Sequence, residues 1–115
     1  MKKLLNTLSI ALAFGSLSAN AATLKEGFEA NKTDNYTTTS VQGDACTWTL
    51  SNAGVYTDNP YAGKNSLRFG NNANSSATMA SNKAGGAGTV SFYAREWSPA
   101  DGEVTIAVQY STNSG

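Results

Sequence analysis

The sequence contains no histidine, which removes the commonest arrangements of hydrolytic catalysis. A Ser-His-Asp or Cys-His relay needs an imidazole to take the proton of the nucleophile, and the usual zinc sites lose their commonest nitrogen ligand. A pair of carboxylates alone can hydrolyse a glycoside, but acidic residues in strands and turns usually face solvent. The carboxylates available for such a pair include Glu26, Glu29, Glu96 and Glu103. We therefore do not expect an enzyme.

Cysteine is almost as scarce, since Cys46 is the only one. No disulfide can form within the chain, even in an oxidising compartment. Because no imidazole is present to activate the thiol, we expect Cys46 to be a small buried apolar group and not a nucleophile. Pairing with a cysteine encoded beyond Gly115 is the remaining alternative.

Clusters of one charge sign are also missing. The chain has 8 Lys and Arg residues against 8 Asp and Glu residues, and apart from the adjacent Lys2 and Lys3 they are spread without runs. A nucleic-acid surface would show clustered Lys and Arg. We therefore expect no nucleic-acid partner for this domain itself.

The one sustained apolar run lies at the start of the chain. Lys2 and Lys3 form a positive region, residues 4–17 are mostly apolar, and Ala19-Asn20-Ala21 has the small-x-small pattern that signal peptidase accepts. A membrane-spanning helix needs about 20 apolar residues, whereas this run is shorter and interrupted by polar residues. We predict that residues 1–21 are a signal peptide and that the protein is secreted or reaches the cell envelope without a membrane anchor.

Beyond this leader, apolar residues recur at every second position and not at helical spacing. Residues 89–97 and 103–110 both alternate in this way, and each predicts a strand with one buried face. The turn between them contains Pro99 and Gly102, and Gly102 permits a positive φ. The two segments therefore predict an antiparallel hairpin.

Earlier strands are predicted between turns rich in Gly and Asn. They cover residues 23–28, 46–50 with a continuation through 55–57, 66–69 and 77–81. About six or seven short strands at this spacing favour an antiparallel sheet, because parallel units would need helices between the strands. The predicted fold class is all-β, with residues 22–115 forming one antiparallel β-sandwich domain.

Aromatic residues provide the candidate binding site, because sugar rings stack on flat Trp and Tyr faces. Tyr93, Arg95 and Trp97 alternate with the apolar residues of their segment, which places them on the outer face. The candidate ligand-binding residues are Tyr61, Tyr93, Arg95 and Trp97. Packing of Tyr93 and Trp97 against another part of the fold is an equal alternative. Trp48 shares its parity with neighbouring apolar residues and is expected in the core.

Oxygen ligands for calcium are the one cofactor considered. Asp44, Asp58 and Asn59 lie in predicted turns, and Glu29 follows the first predicted strand, so these four could gather around the ion. Their spacing does not match an EF-hand loop. Turn stabilisation by Asp and Asn side chains explains their positions equally well.

Several segments occur in an order that resembles a known family. They are Glu26-Gly27-Phe28-Glu29, Trp48, Gly63-Lys64-Asn65-Ser66-Leu67-Arg68-Phe69-Gly70, Gly88-Thr89-Val90-Ser91-Phe92-Tyr93 and Val108-Gln109-Tyr110-Ser111-Thr112. The order resembles the jelly-roll, lectin-like accessory domains of secreted bacterial proteins, especially from the Bacteroidetes, in the style of MAM-like and choice-of-anchor modules. This resemblance implies a jelly-roll sandwich without activity of its own.

The chain departs from that family pattern at its end. The sequence stops at Gly115, inside the turn that would lead to another strand. The resemblance therefore implies a domain that is incomplete at its C-terminus. Residues 103–110 would then be an exposed edge strand, and such an edge promotes self-association.

Two functions follow from these observations. The first is a secreted, non-catalytic recognition module that binds carbohydrate or another cell-surface polymer. The alternative is a structural N-terminal segment of a larger secreted enzyme, such as an extracellular nuclease, with no ligand of its own.

Overall fold

The computed structural model describes residues 23–83 and 85–111. Within these residues the fold is all-β: four strands form one open antiparallel sheet, and there is no α-helix. The strands are β1 (Thr37–Gln42), β2 (Thr47–Tyr56), β3 (Ser66–Phe69) and β4 (Ser76–Met79), followed by a 3-10 turn at Pro99–Asp101. The predicted signal peptide lies outside the described residues. In the described part, no helix has the length and apolar character needed to cross a bilayer.

β2 is the central strand of the sheet. β1 pairs with one edge of β2, while β3 and β4 share the other edge. β3 pairs with the C-terminal half of β2, and β4 pairs with the N-terminal half. Together β3 and β4 therefore resemble one long strand that is interrupted by the loop at residues 70–75.

β2 contains a bulge near its middle. Ser51 and Asn52 together lie opposite a single residue of β1, and Asn52 has a φ of 44°. An extra residue of this kind shifts the alternation of side chains by one position. As a result Leu50 and Ala53 are both buried, although they are an odd number of positions apart.

One face of the sheet carries the hydrophobic core. Its buried residues are Val41, Trp48, Leu50, Ala53, Val55, Phe69, Ala77 and Met79. Leu24, Phe28 and Ile106, which lie outside the strands, pack against this cluster. Trp48 is only 4% exposed and its ring lies 5.4 Å from that of Phe28, which confirms its prediction as a core residue.

The strand predictions hold for the centre of the chain and fail at its two ends. β2, β3 and β4 lie within or close to predicted segments, whereas β1 was not predicted. Residues 23–28 do not form a strand. The fold is confirmed as all-β, while a closed sandwich is not visible in the described sheet.

The predicted hairpin is also wrong. Neither residues 89–97 nor residues 103–110 form a strand, so the edge strand expected there is absent from the described structure. Of their alternating apolar residues, Ile106 packs against the core as expected, whereas Val90, Phe92 and Val108 are 39%, 45% and 42% exposed. Alternation orients side chains, but a strand also needs a neighbouring backbone. The turn itself is present, and Gly102 has the expected positive φ of 78°. Self-association stays a prediction.

Candidate functional site

The candidate site forms around the turn that follows β2, at residues 58–61. Asn59, which precedes Pro60, has a φ of 48°. This is a left-handed conformation that Asn tolerates better than most residues. The carbonyl of Asp58 accepts a hydrogen bond from the Ser66 hydroxyl at 2.9 Å. This bond attaches the turn to the beginning of β3.

Alternate residues of a later segment contact this turn. The rings of Tyr61 and Tyr93 are stacked, with centroids 3.6 Å apart and planes 13° apart. An Nη2 of Arg95 donates a long hydrogen bond of 3.4 Å to the carbonyl of Asn59. The structure therefore brings three of the four predicted ligand-binding residues together at one turn.

The fourth predicted residue, Trp97, reaches the same region through Arg68 of β3. The guanidinium carbon of Arg68 lies 3.8 Å from the centroid of the Trp97 ring and 4.3 Å from that of Tyr56. Nη2 of Arg68 is also 3.4 Å from the Asp58 carboxylate. Cations held over aromatic faces at such distances are attracted by the ring quadrupole. Arg68 therefore connects Trp97 to the sheet and to the turn.

These residues form an exposed surface, which we call the aromatic surface and define as Tyr61, Tyr93, Arg95 and Trp97 with Arg68 beneath. Tyr61 and Tyr93 are each 73% exposed, and Trp97 is 52% exposed. One face of the Trp97 ring is covered by Arg68, so its exposure belongs mainly to the other face and the ring edge. Contiguous exposed aromatic groups of this kind often mark binding sites.

Two phenols of this region have a pKa above the ordinary value for tyrosine. Hydrogen bonding with Tyr93 raises the pKa of Tyr61, and desolvation adds to this effect. Burial raises the pKa of Tyr56, with a further contribution from Tyr36. The charges on the aromatic surface are therefore those of its two guanidinium groups and of Asp58.

The residues predicted to bind calcium separate into two groups. Asp58 and Asn59 belong to the turn of the aromatic surface. Glu29 and Asp44 lie elsewhere and are joined by a 3.2 Å hydrogen bond from the backbone N–H of Glu29 to Oδ2 of Asp44. In the described part of the chain, no three His, Cys, Asp or Glu residues group to hold a metal. A calcium site therefore stays a prediction.

Backbone N–H groups already engage the acidic residues near the N-terminal segment. Glu29 accepts hydrogen bonds from the backbone N–H groups of Lys64 and Asn65, and Asp44 accepts one from that of Gly27. Glu26 accepts four further hydrogen bonds, including one of 2.8 Å from the Trp48 indole. These bonds tie the segment before β1 to two distant loops. They also fix the positions of the Glu26, Glu29 and Asp44 carboxylates.

A concave region lies at the end of β2 that is opposite the aromatic surface. It is an open cleft of about 520 Å³, lined in part by Lys25, Asp44, Cys46 and Met79. Burial and the neighbouring Glu26 raise the pKa of the Cys46 thiol above its usual value. The thiol is therefore protonated at neutral pH, which disfavours attack as a nucleophile.

No family model, curated protein or solved structure matches this chain. The resemblance to lectin-like accessory domains therefore stays a prediction. What the chain does has to follow from the chemistry of its own described residues.

Sequence analysis identified the four exposed residues of the aromatic surface. It did not identify Arg68 and Tyr56, which pack beneath Trp97. Arg68 alternates with Leu67 and Phe69 in a short apolar strand, and this pattern indicates an outward side chain. Tyr56 ends β2 with the same outward orientation opposite Ser66. The parity of each residue was readable, but nothing in the sequence indicates that Trp97 would lie on Arg68.

Proposed function

We propose that this protein is a secreted, non-catalytic recognition module that binds carbohydrate through its aromatic surface. The supporting observation is the Trp97 ring, which rests on Arg68 with one face and is 52% exposed. The apolar face of a sugar ring packs on such an open indole face, while polar groups around it fix the orientation. Tyr61, Tyr93 and Arg95 provide those neighbours.

Support for binding comes from how the surface is held. Three separate parts of the chain supply it: the turn after β2, strand β3 and the segment around Tyr93 to Trp97. A rigid aromatic platform loses little conformational entropy when a ligand binds, which favours affinity. The opposite face of the sheet contains the hydrophobic core, so the outer face is available for recognition.

The export and fold proposals rest on the sequence. The leader at residues 1–21 supports secretion, and the order of motifs supports a jelly-roll-like sandwich around the observed sheet. The packing of Leu24, Phe28 and Ile106 against the core supports the same fold, because these residues come from segments outside the four strands.

Binding of the protein to an array of glycans tests this function. Trp97→Ala should weaken binding to any glycan that the protein recognises by about tenfold or more, since aromatic anchors often contribute more than 1 kcal/mol. Phe92→Ala is the matched control, because Phe92 belongs to the same segment, is 45% exposed and is not part of the aromatic surface.

Two outcomes would contradict the proposal. Equal binding by the Trp97→Ala variant and the unchanged protein would exclude this surface as the site. The absence of binding to every glycan would instead favour a structural segment of a larger secreted enzyme with no ligand of its own.

A further inference from the structure

We propose that the aromatic surface selects acidic polysaccharides over neutral ones, and that Arg95 recognises the sugar carboxylate. This inference rests on the proposed carbohydrate-binding function and specifies its ligand class. The observation behind it is the difference between the two arginines of the surface.

Arg68 is already engaged on several sides. Its guanidinium lies between the rings of Tyr56 and Trp97 and forms an ion pair with Asp58, and its side chain is only 19% exposed. A cation that is stacked and paired in this way has little capacity left for a ligand. Arg68 therefore acts as a positioning residue for Trp97.

Arg95 is in the opposite situation. It is exposed, and its Nη2 donates a 3.4 Å hydrogen bond to the carbonyl of Asn59. Within the described residues, the carboxylates found in ion pairs are those of Asp34 and Asp58, and their partners are Lys32 and Arg68. The guanidinium of Arg95 thus retains its positive charge and most of its five N–H donors for a ligand.

The geometry of this cation suits a sugar acid. The bond to Asn59 holds Arg95 at the turn that also carries the stacked Tyr61, so a charged donor and flat aromatic faces occupy one surface. A guanidinium binds a carboxylate through two parallel charge-assisted hydrogen bonds, which are about twice as strong as neutral ones. A uronic acid offers a carboxylate and a ring face together, whereas a neutral sugar offers only the ring and hydroxyl groups.

The test compares two forms of one polymer. Calorimetry measures binding of the protein to polygalacturonate and to its fully methyl-esterified form. The ester is the matched probe, because esterification removes the charge and keeps the sugar rings. Alginate is a second acidic probe, xylan and dextran are neutral probes, and polyglutamate is an acidic chain without sugar rings. We expect the acidic polysaccharides to bind at least about tenfold more tightly than the neutral probes, with affinity falling as salt is added.

Variants then assign the selectivity to one side chain. Arg95→Gln should reduce binding to polygalacturonate by about tenfold and reduce binding to the ester by a much smaller factor, because the ester has no carboxylate to lose from the guanidinium. Arg95→Lys should recover part of the loss, because it keeps the charge without the planar pair of donors. Lys25→Gln is the control for net charge, since Lys25 lies in the cleft at the opposite end of β2.

Each remaining outcome overturns a different statement. Equal affinity for the polymer and its ester overturns acid selection, and no effect of Arg95→Gln overturns the role of Arg95; glycan binding itself stands in both cases. Equal binding of polyglutamate overturns the assignment to a polysaccharide. The absence of binding to all the polysaccharides overturns this inference, and the glycan array then decides whether the proposed function stands.

Discussion

At the scale of single residues, one carboxylate organises the segment before the sheet. Glu26 accepts hydrogen bonds from the backbone N–H groups of Phe28, Asp44 and Ala45 and from Nε1 of Trp48. Three of these four bonds measure 2.7 to 2.8 Å. A charged acceptor satisfies several donors at once more effectively than a neutral group does. Glu26 therefore links the N-terminal segment, the turn before β2 and the core indole.

The first prediction concerns the charge of this residue. Glu26→Gln replaces one acceptor oxygen with an NH2 group that faces N–H donors, so we expect the free energy of unfolding to fall by about 2 kcal/mol. Urea unfolding followed by tryptophan fluorescence measures the change. Glu103→Gln is the control, because Glu103 is exposed and should unfold like the unchanged protein. Equal unfolding midpoints for the two variants would show that the Glu26 charge is not needed.

At the scale of elements, the bulge in β2 and the loop between β3 and β4 form one unit. Gly70 donates its backbone N–H to the carbonyl of Asn52 at 2.7 Å, and the amide of Asn52 donates to the Ser75 hydroxyl at 2.8 Å. The Ser75 hydroxyl in turn donates to the carbonyl of Gly70, and Ser75 is fully buried. These bonds pair polar groups of Asn52, Gly70 and Ser75 at the point where the edge of the sheet is interrupted between β3 and β4.

Substitutions at Asn52 separate backbone strain from hydrogen bonding. Asn52→Gly keeps the left-handed φ of 44° accessible and loses the bond to Ser75, so we expect a loss of stability of about 1 kcal/mol. Asn52→Ala loses the same bond and leaves a Cβ in the left-handed conformation without the polar side chain that lets Asn tolerate it, for a total loss of about 2 kcal/mol or more. Thermal unfolding followed by circular dichroism gives the order of the three proteins. An alanine variant more stable than the glycine variant would refute the strain argument.

The strands that sequence analysis found have an alternation of apolar residues of their own, and the strand that it missed does not. Leu67 and Phe69 of β3 stand between turn residues, so a short apolar alternation was readable there. β1 is Thr-Thr-Thr-Ser-Val-Gln, and only Val41 of this polar strand is buried. Its place is fixed by pairing with β2 and not by a pattern of its own. Residues 89–97 show the converse, because they have the pattern without a strand partner.

The aromatic surface was predictable to a similar extent. The parity of residues 89–97 places Tyr93, Arg95 and Trp97 on one side, and the structure shows these three at a common surface. Alternation depends on neighbouring residues and is visible in the sequence. The stacking of Trp97 on Arg68 depends on how separate segments pack, which no local pattern encodes.

At the scale of the whole molecule, the two faces of the sheet have different surroundings. One face buries the core around Leu50 and Val55, and the other carries Tyr56 and Arg68. The segment with Trp97 contributes no strand to this sheet, and the Trp97 ring contacts Arg68 of β3. Gly54, which pairs with Arg68, shows how closely chain segments approach on the outer face, since a Cβ there would lie 2.1 Å from the carbonyl of Asn35.

The last prediction tests whether Arg68 holds the segment against the sheet. Arg68→Ala removes the group between Tyr56 and Trp97, so acrylamide should quench the Trp97 fluorescence more strongly while Trp48, which is 4% exposed, stays protected. Asp58→Asn is the matched control, because it removes the ion pair of Arg68 and keeps its stacking. Since exposed ion pairs contribute little and a cation over two rings contributes about 1 kcal/mol or more, only the alanine variant should change the quenching.

If acrylamide quenching increases equally in both variants, the ion pair and not the stacking positions Trp97. If neither differs from the unchanged protein, the segment is held by other contacts and Arg68 loses its positioning role.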